Sequence, residues 1–380
     1  KLQVRYSWLF TFVLLFSDQF IFRLNLAKAP SLSLISILLA IYFLSLSSRR
    51  WSWPLFILSF FYVWLYGGWP ILLGMGAIYF IITGVGEHLE EIKKQTVSNI
   101  GQSLKLFFPK LFSWSNLRLP LSIFSGLLAG LIINPYFPTN LRFYWQQTFE
   151  IGLKNYRGLV DVGGEWYPPD FFALVSHNIY SLILFLLALV IFFVFLRRQR
   201  PLTWLALFLS LFFFFLTLKS QRNIEYAIPF ILLFSALSFS SWLGSAPHPR
   251  QLFLSYRPPA IVIIICLIVC LPIIFSYNFW GLRQSLRGGF SWHKLEVSCE
   301  WLKKNTPPQT LIFHDNWADF PLLFYRNTEA RYLLGLDPSF MYFDNQEKYF
   351  FWRDASAGRL PGPLCSTIKN NFQADYIFVT

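Results

Sequence analysis

The sequence predicts a polytopic α-helical membrane protein that carries a C-terminal extracytoplasmic α/β domain. Only 13% of the 380 residues are charged, while 55% are hydrophobic and 20% aromatic. An ordinary soluble domain carries roughly 25% charged residues. Apolar runs long enough, or nearly so, to cross a hydrocarbon slab of about 30 Å recur as far as residue 277. Beyond that point, helix-like and strand-like stretches alternate instead.

About nine apolar spans are expected, near residues 6–22, 31–47, 53–66, 70–86, 119–133, 178–196, 202–218, 226–243 and 258–277. The basic residues between them set the orientation. Arg49 and Arg50, Lys93 and Lys94 with Lys105 and Lys110, Arg197, Arg198 and Arg200, and Arg250 with Arg257 occupy alternate gaps. Those gaps are assigned to the cytoplasm. The gaps around 23–30, 67–70, 134–177 and 219–226 then face outside. Nine spans place the N-terminus inside and residues 278–380 outside. The expected domains are therefore a helical membrane domain over 1–277 and an extracytoplasmic α/β domain over 278–380. The formal charge of +13 follows from this topology, which makes nucleic acid a poor partner.

Two gaps are long. The inner one, 87–119, places apolar residues at helical spacing opposite Lys, which suits a helix lying on the inner leaflet. The outer one opens on Asn134-Pro135-Tyr136-Phe137-Pro138, a helix stop. It continues as an aromatic amphipathic segment over 143–154, then reaches Gly163-Gly164-Glu165-Trp166-Tyr167-Pro168-Pro169. In the tail, helices are expected over 292–304, 320–325, 345–354 and 364–371. Strands are expected over 310–313, 331–334 and 375–379. That order implies a largely parallel sheet.

The chain contains two Met, Met75 and Met341. It opens on Lys1 and stops at Thr380, inside what reads as a strand. The expectation is a fragment lacking material at both ends. Of four Cys, Cys266 and Cys270 read as small core residues. Cys299 and Cys365 have the option of pairing in an oxidising compartment.

The joint between residues 202–218 and 226–243 holds Lys219, Arg222 and Glu225. Charges there sit at an interface or in a wet cavity, and they suit an anionic headgroup such as a lipid phosphate. A snorkelling interface is the plain alternative. Arg23 and Lys28 form a further outer basic site. Asp18, inside an apolar run, needs a cation, for which Arg23 and Lys28 are the nearest. Glu165 has the chemistry of a general base, metal ligand or sugar contact, and equally that of a turn residue. Asp161 is its weaker neighbour. His177 reads as a proton carrier or an interface residue. Asp315 and Asp319 follow a strand's carboxyl end, where α/β sheets bind ligands. They are candidates for a divalent cation, although a helix N-cap explains Asp319 as well. Gly-rich phosphate loops, metal-type Cys/His spacings and Gly-x-Ser-x-Gly elbows are all missing.

At these residues the chain resembles the GT-C superfamily of membrane glycosyltransferases, which use polyprenyl-phosphate-linked sugars. Leu65-Tyr66-Gly67-Gly68-Trp69 is similar to a bacterial Leu-His-Gly-Gly-Phe stretch, with Tyr66 in place of His. Asn134-Pro135-Tyr136, Glu165-Trp166, and Arg222-Asn223-Ile224 followed by Pro229 occur in the same order as in that family. Residues 301–307, a strand, and Asn316-Trp317-Ala318-Asp319 resemble in layout the extracytoplasmic domain of oligosaccharyltransferase catalytic subunits. The Trp-Trp-Asp-Tyr-Gly motif of those subunits is missing, so peptide acceptor recognition does not carry over. The resemblance implies that Arg222 and Lys219 hold a donor phosphate, with Arg23 or Lys28 assisting. It implies a polyprenyl-phosphate-linked sugar as donor, membrane lipid around the chain, and a cell-envelope acceptor. It places the main catalytic acid in an outer loop N-terminal to this region. The alternatives are a non-catalytic protein that binds or moves a polyprenyl-linked saccharide, and a secondary transporter.

Overall fold

A computed structural model describes residues 4, 7–26, 28–94, 109, 111–154, 159–160, 163–243, 272–273, 275–289, 291–335 and 337–380. Two compact units emerge: Lys1–Tyr144 with Pro168–Arg287, and Trp145–Tyr167 with Gly288–Thr380. The division thus falls later than the expected 277/278 cut. It also moves residues 145–167 from the helical part to the tail's unit. Packing explains the move, because Val160, Trp166 and Tyr167 join the apolar cluster of Phe313, Tyr349 and Trp352.

The first unit is helical. α1 (Ser7–Val13) runs into a 3-10 turn, Leu14–Phe16, and stops at Ser17. Ser17 is extended and its hydroxyl accepts from the Phe20 N–H, capping α2 (Asp18–Leu24), whose first turn carries Asp18. The two helices meet at 87°. α3 (Ala29–Ser45) has Pro30 in its first turn, where a missing N–H costs nothing. α4 (Ser52–Leu65) and α5 (Pro70–Lys94) follow. α5 runs without a break through 87–94, so the start of the expected surface helix is its continuation. The remainder of that stretch, 95–108, lies outside the described residues. α6 (Trp114–Ile132) and α7 (Thr139–Trp145) come next. A second bend, of 83° at Asn178, separates α8 (Phe171–His177) from α9 (Ile179–Val194). α10 (Pro201–Lys219) and α11 (Ile224–Leu243) form an antiparallel pair.

Among the described residues, three helical segments are long and apolar enough to cross a membrane: Trp114–Ile132, Pro201–Lys219 and Gln221–Leu243. The number becomes five if each bent pair is one span. Ala29–Ser45 and Pro70–Gly86 are shorter apolar helices. The expected span at 258–277 lies almost wholly outside the described residues. The window of Gln221–Leu243 is 67% buried against 44% for Pro201–Lys219 and 33% for Trp114–Ile132, so α11 is the central helix. Phe213 of α10 stacks on Tyr226 and Phe230 of α11, with centroids 4.9 and 5.3 Å apart. The Tyr226 hydroxyl donates to Ser33 Oγ at 2.9 Å, and that oxygen lies 2.8 Å from the Tyr62 hydroxyl. One polar string therefore ties α3, α4 and α11 together inside the apolar core.

α4 and α6 pack most closely through glycine. A Cβ at Gly126 would overlap the Phe56 carbonyl, and one at Gly130 would overlap the Phe60 carbonyl. The shared offset means that the two helices run parallel, with Gly-x-x-x-Gly supplying the close approach. Trp64 Nε1 donates to the Gly130 carbonyl at 2.9 Å. Parallel α4 and α6, with α5 returning between them, put Arg49, Arg50 and Arg118 at one end.

The second unit is the small α/β domain anticipated in the tail. β1 (Leu311–His314) is central in the order β2-β1-β3, flanked in parallel by β2 (Arg331–Tyr332) and β3 (Tyr376–Phe378). Its helices are α12 (Glu296–Asn305), α13 (Phe320–Arg326), α14 (Ser339–Asp344), α15 (Gln346–Ser356) and α16 (Leu364–Phe372). The expected helix at 345–354 is thus preceded by a second, short one. Hydrogen bonding from His293, reinforced by Arg326, holds the Glu296 carboxyl below its ordinary range at the start of α12. Cys299 is buried and Cys365 exposed, and both are free thiols rather than a disulfide. Burial pushes the Cys299 thiol up, against a smaller opposing effect of Arg326.

Gly126→Ala should lower the thermal stability of the detergent-solubilised protein by about 1–3 kcal/mol, since the added methyl meets backbone rather than a movable side chain. Gly74 has nothing within 4 Å of its would-be Cβ. Gly74→Ala should therefore be neutral, or stabilising by up to about 1 kcal/mol. Equal melting temperatures for the two variants would refute the glycine-mediated contact.

Candidate functional site

The joint singled out in the sequence is built by a tight turn. α10 ends at Lys219, and Ser220 is extended. A 3-10 turn, Gln221–Asn223, then leads directly into α11. Asn223 Nδ2 folds back onto the Leu216 and Ser220 carbonyls at 3.3 and 3.2 Å, satisfying the end of α10. Lys219 and Arg222 are half-buried in this turn, and Glu225 is buried in the first turn of α11.

Across the bundle, α2 brings Arg23 to the joint. Arg23 Nε donates to Glu225 Oε2 at 3.0 Å, with side-chain exposures of 9% and 4%. An ion pair that deep survives only because each charge neutralises the other. Removing one partner strands a charge in a low-dielectric setting. The carboxylate of Glu225 thus holds Arg23.

Asp18 is bound otherwise than expected. Its carboxylate lies 2.9 Å from His177 Nδ1. The bend at Ser17 explains this, because it turns the first residue of α2 toward the second bend. The two bends also touch. Ser17 Oγ donates to Asn178 Oδ1 at 2.6 Å. Asn178 Nδ2 reaches Gln19 Oε1 at 3.1 Å and the Leu174 carbonyl at 2.9 Å. Asn278 Nδ2 donates to the Phe16 carbonyl, left over where α1 stops. Lys28 is exposed at the start of α3. Tyr66, in the position where the resembling family carries His, lays its ring over Gly68 and 6.5 Å from the Tyr62 ring.

The remaining candidates belong to the second unit. Glu165 is half-buried in a 3-10 turn, Gly164–Trp166, and Gly163 packs against Trp317. Asp161 lies outside the described residues. Asp319 is buried and pairs with Lys294 Nζ at 2.8 Å. It does not act as a side-chain helix cap. Thr380 Oγ1 bridges Asp319 and Asp315 at 3.1 and 3.4 Å. The two aspartates are therefore linked through Thr380, and a lysine and a hydroxyl occupy them. Among the described residues, no group of three or more His, Cys, Asp or Glu is arranged to hold a metal ion.

Lys294 and the Ser33–Tyr62–Tyr226 string escaped the sequence reading. Neither has a local signal, because each partner is distant along the chain. His314 also escaped it. Its imidazole is fully buried, with Nδ1 and Nε2 each 3.0 Å from a carbonyl, of Asn316 and Leu334, so it holds the end of β1 in place.

No protein-family model matches the chain, and no curated protein matches its sequence.

Arg23→Met should destabilise the protein by about 3–5 kcal/mol, because it leaves Glu225 charged and buried. Adding Glu225→Gln should restore most of that loss. A double-mutant cycle in denaturant with no coupling energy would show that the pair is incidental.

Proposed function

We infer that this chain is an integral membrane glycosyltransferase of GT-C type, which transfers a sugar from a polyprenyl-phosphate donor to a cell-envelope acceptor. The observation that carries this reading is the joint itself. Arg222 and Lys219 gather in one tight turn with Glu225, which Arg23 pairs from across the bundle. The formal balance of Arg23, Lys219 and Arg222 against Glu225 is three to one, which suits a phosphate of the donor. Displacement at the anomeric carbon would release polyprenyl phosphate, and the cations would stabilise charge growing on that leaving group. The order of short motifs shared with the family supports the same conclusion. In this reading the membrane is the plasma membrane, the spans number nine, and the joint and the α/β domain face outside. Glu165 is the acidic candidate for acceptor activation.

A secondary transporter is favoured by one observation, the pair of bent helices that meet at their breaks through Ser17–Asn178 and Asp18–His177. Asp18→Asn would then abolish substrate uptake into vesicles while leaving phosphate-lipid binding intact.

Polyprenyl phosphate binding should weaken about tenfold or more in Arg222→Ala, the loss of one charge-assisted contact, with partial recovery in Arg222→Lys. Unchanged affinity would remove the assignment. In a Cys365→Ser background, a membrane-impermeant maleimide applied to intact cells should label a cysteine placed at position 165 and spare one at position 94. The reverse pattern would invert the topology.

A further inference from the structure

A cavity of about 890 Å³ opens at the basic end of the first unit, between the N-terminal ends of α4 and α6. Its rim is cationic. Arg49 and Arg50 come from the turn before α4, and Arg118 from the second turn of α6. Its walls are apolar and aromatic, with Trp53 and Trp114 each 67% exposed and Phe124 51% exposed.

The positions run down two parallel helices. Residues 114, 118, 121, 122 and 125 of α6 face residues 52, 53 and 56 of α4. The eleven steps from Trp114 to Ser125 at 1.5 Å each make a groove about 16 Å long, floored where Gly126 lets α6 meet α4. Arg118 is fixed at the mouth by donating through Nη2 to the Ser47 carbonyl. Among the described residues, its Nε and the Ser52 hydroxyl are both buried and have no hydrogen-bond partner. Both residues line the cavity. Arg50 lies over the Trp51 ring at 5.4 Å, and that ring stacks on Phe43 at 5.0 Å. The turn is therefore braced before any ligand arrives.

We propose that this groove binds an anionic glycerophospholipid, with its phosphate among Arg49, Arg50, Arg118 and Ser52 and its acyl chains along Trp53, Phe56, Leu121 and Phe124. Charge decides the headgroup, since among the described residues no carboxylate lines the cavity and a zwitterionic lipid brings its own cation to three guanidiniums. The apolar walls, with two exposed Trp at the level of the arginines, match the interfacial depth of a lipid rather than a free anion. The assignment is independent of glycosyl transfer and requires only that this unit lie in a bilayer.

Native mass spectrometry of the purified full-length protein tests it, with dioleoyl phosphatidylglycerol, dioleoyl phosphatidylcholine and glycerophosphate as probes. Phosphatidylglycerol should bind about tenfold more tightly than phosphatidylcholine, and Arg49→Gln/Arg50→Gln or Arg118→Gln should remove that preference. Trp53→Ala/Phe124→Ala should weaken both lipids and leave glycerophosphate unaffected. Should Arg118→Gln fail to fold, the exposed Arg49/Arg50 pair carries the test alone. Equal binding of the two lipids, an undiminished preference in the arginine variants, or glycerophosphate binding as tightly as phosphatidylglycerol would each overturn the proposal.

Discussion

One buried ion pair organises the end of the helical unit that holds the turn between α10 and α11. Arg23 and Glu225 are 202 residues apart in sequence and 3.0 Å apart in space. Neither belongs in an apolar bundle without the other. Their pairing fixes α2 against the first turn of α11, the most buried helix of the unit, and so fixes the turn that presents Lys219 and Arg222.

The helix breaks follow the same logic. A chain that bends by more than 80° at Ser17 and again at Asn178 exposes backbone groups that an apolar setting cannot hydrate. The two bends resolve this jointly. Ser17 caps α2 and donates to Asn178, Asn178 returns bonds to Gln19 and Leu174, and Asn278 takes up the Phe16 carbonyl. Asp18 and His177, the first residue after one break and the last before the other, neutralise each other in the same place. Each break is affordable because the other is beside it.

Much of this was legible in the sequence, and the rest was not for identifiable reasons. The apolar runs, the joint at 219–226 and the helix-strand order of the tail could be read, since each depends on local pattern. β1, β2 and β3 fall within a residue or two of the stretches rich in β-branched and aromatic side chains. The partner of Asp18 could not be read. Arg23 and Lys28 were nearer in sequence, but the bend at Ser17 turns the carboxylate toward His177, 159 residues away. The transfer of residues 145–167 to the tail's unit was equally hidden, because Trp166 and Tyr167 look the same whether they meet headgroups or a protein core. Gly126 and Gly130 were not singled out, because only the facing carbonyls of α4 show what their spacing is for.

Phosphorus–nitrogen dipolar recoupling by solid-state NMR measures the central contact directly. The sample is bilayer-reconstituted protein with nitrogen-15 in its arginine side chains and bound polyprenyl phosphate. The account predicts strong dephasing of the lipid phosphorus by a guanidinium, lost in Arg222→Lys and kept in Arg118→Lys. Dephasing that survives the loss of Arg222, or none at all with the lipid bound, would contradict it.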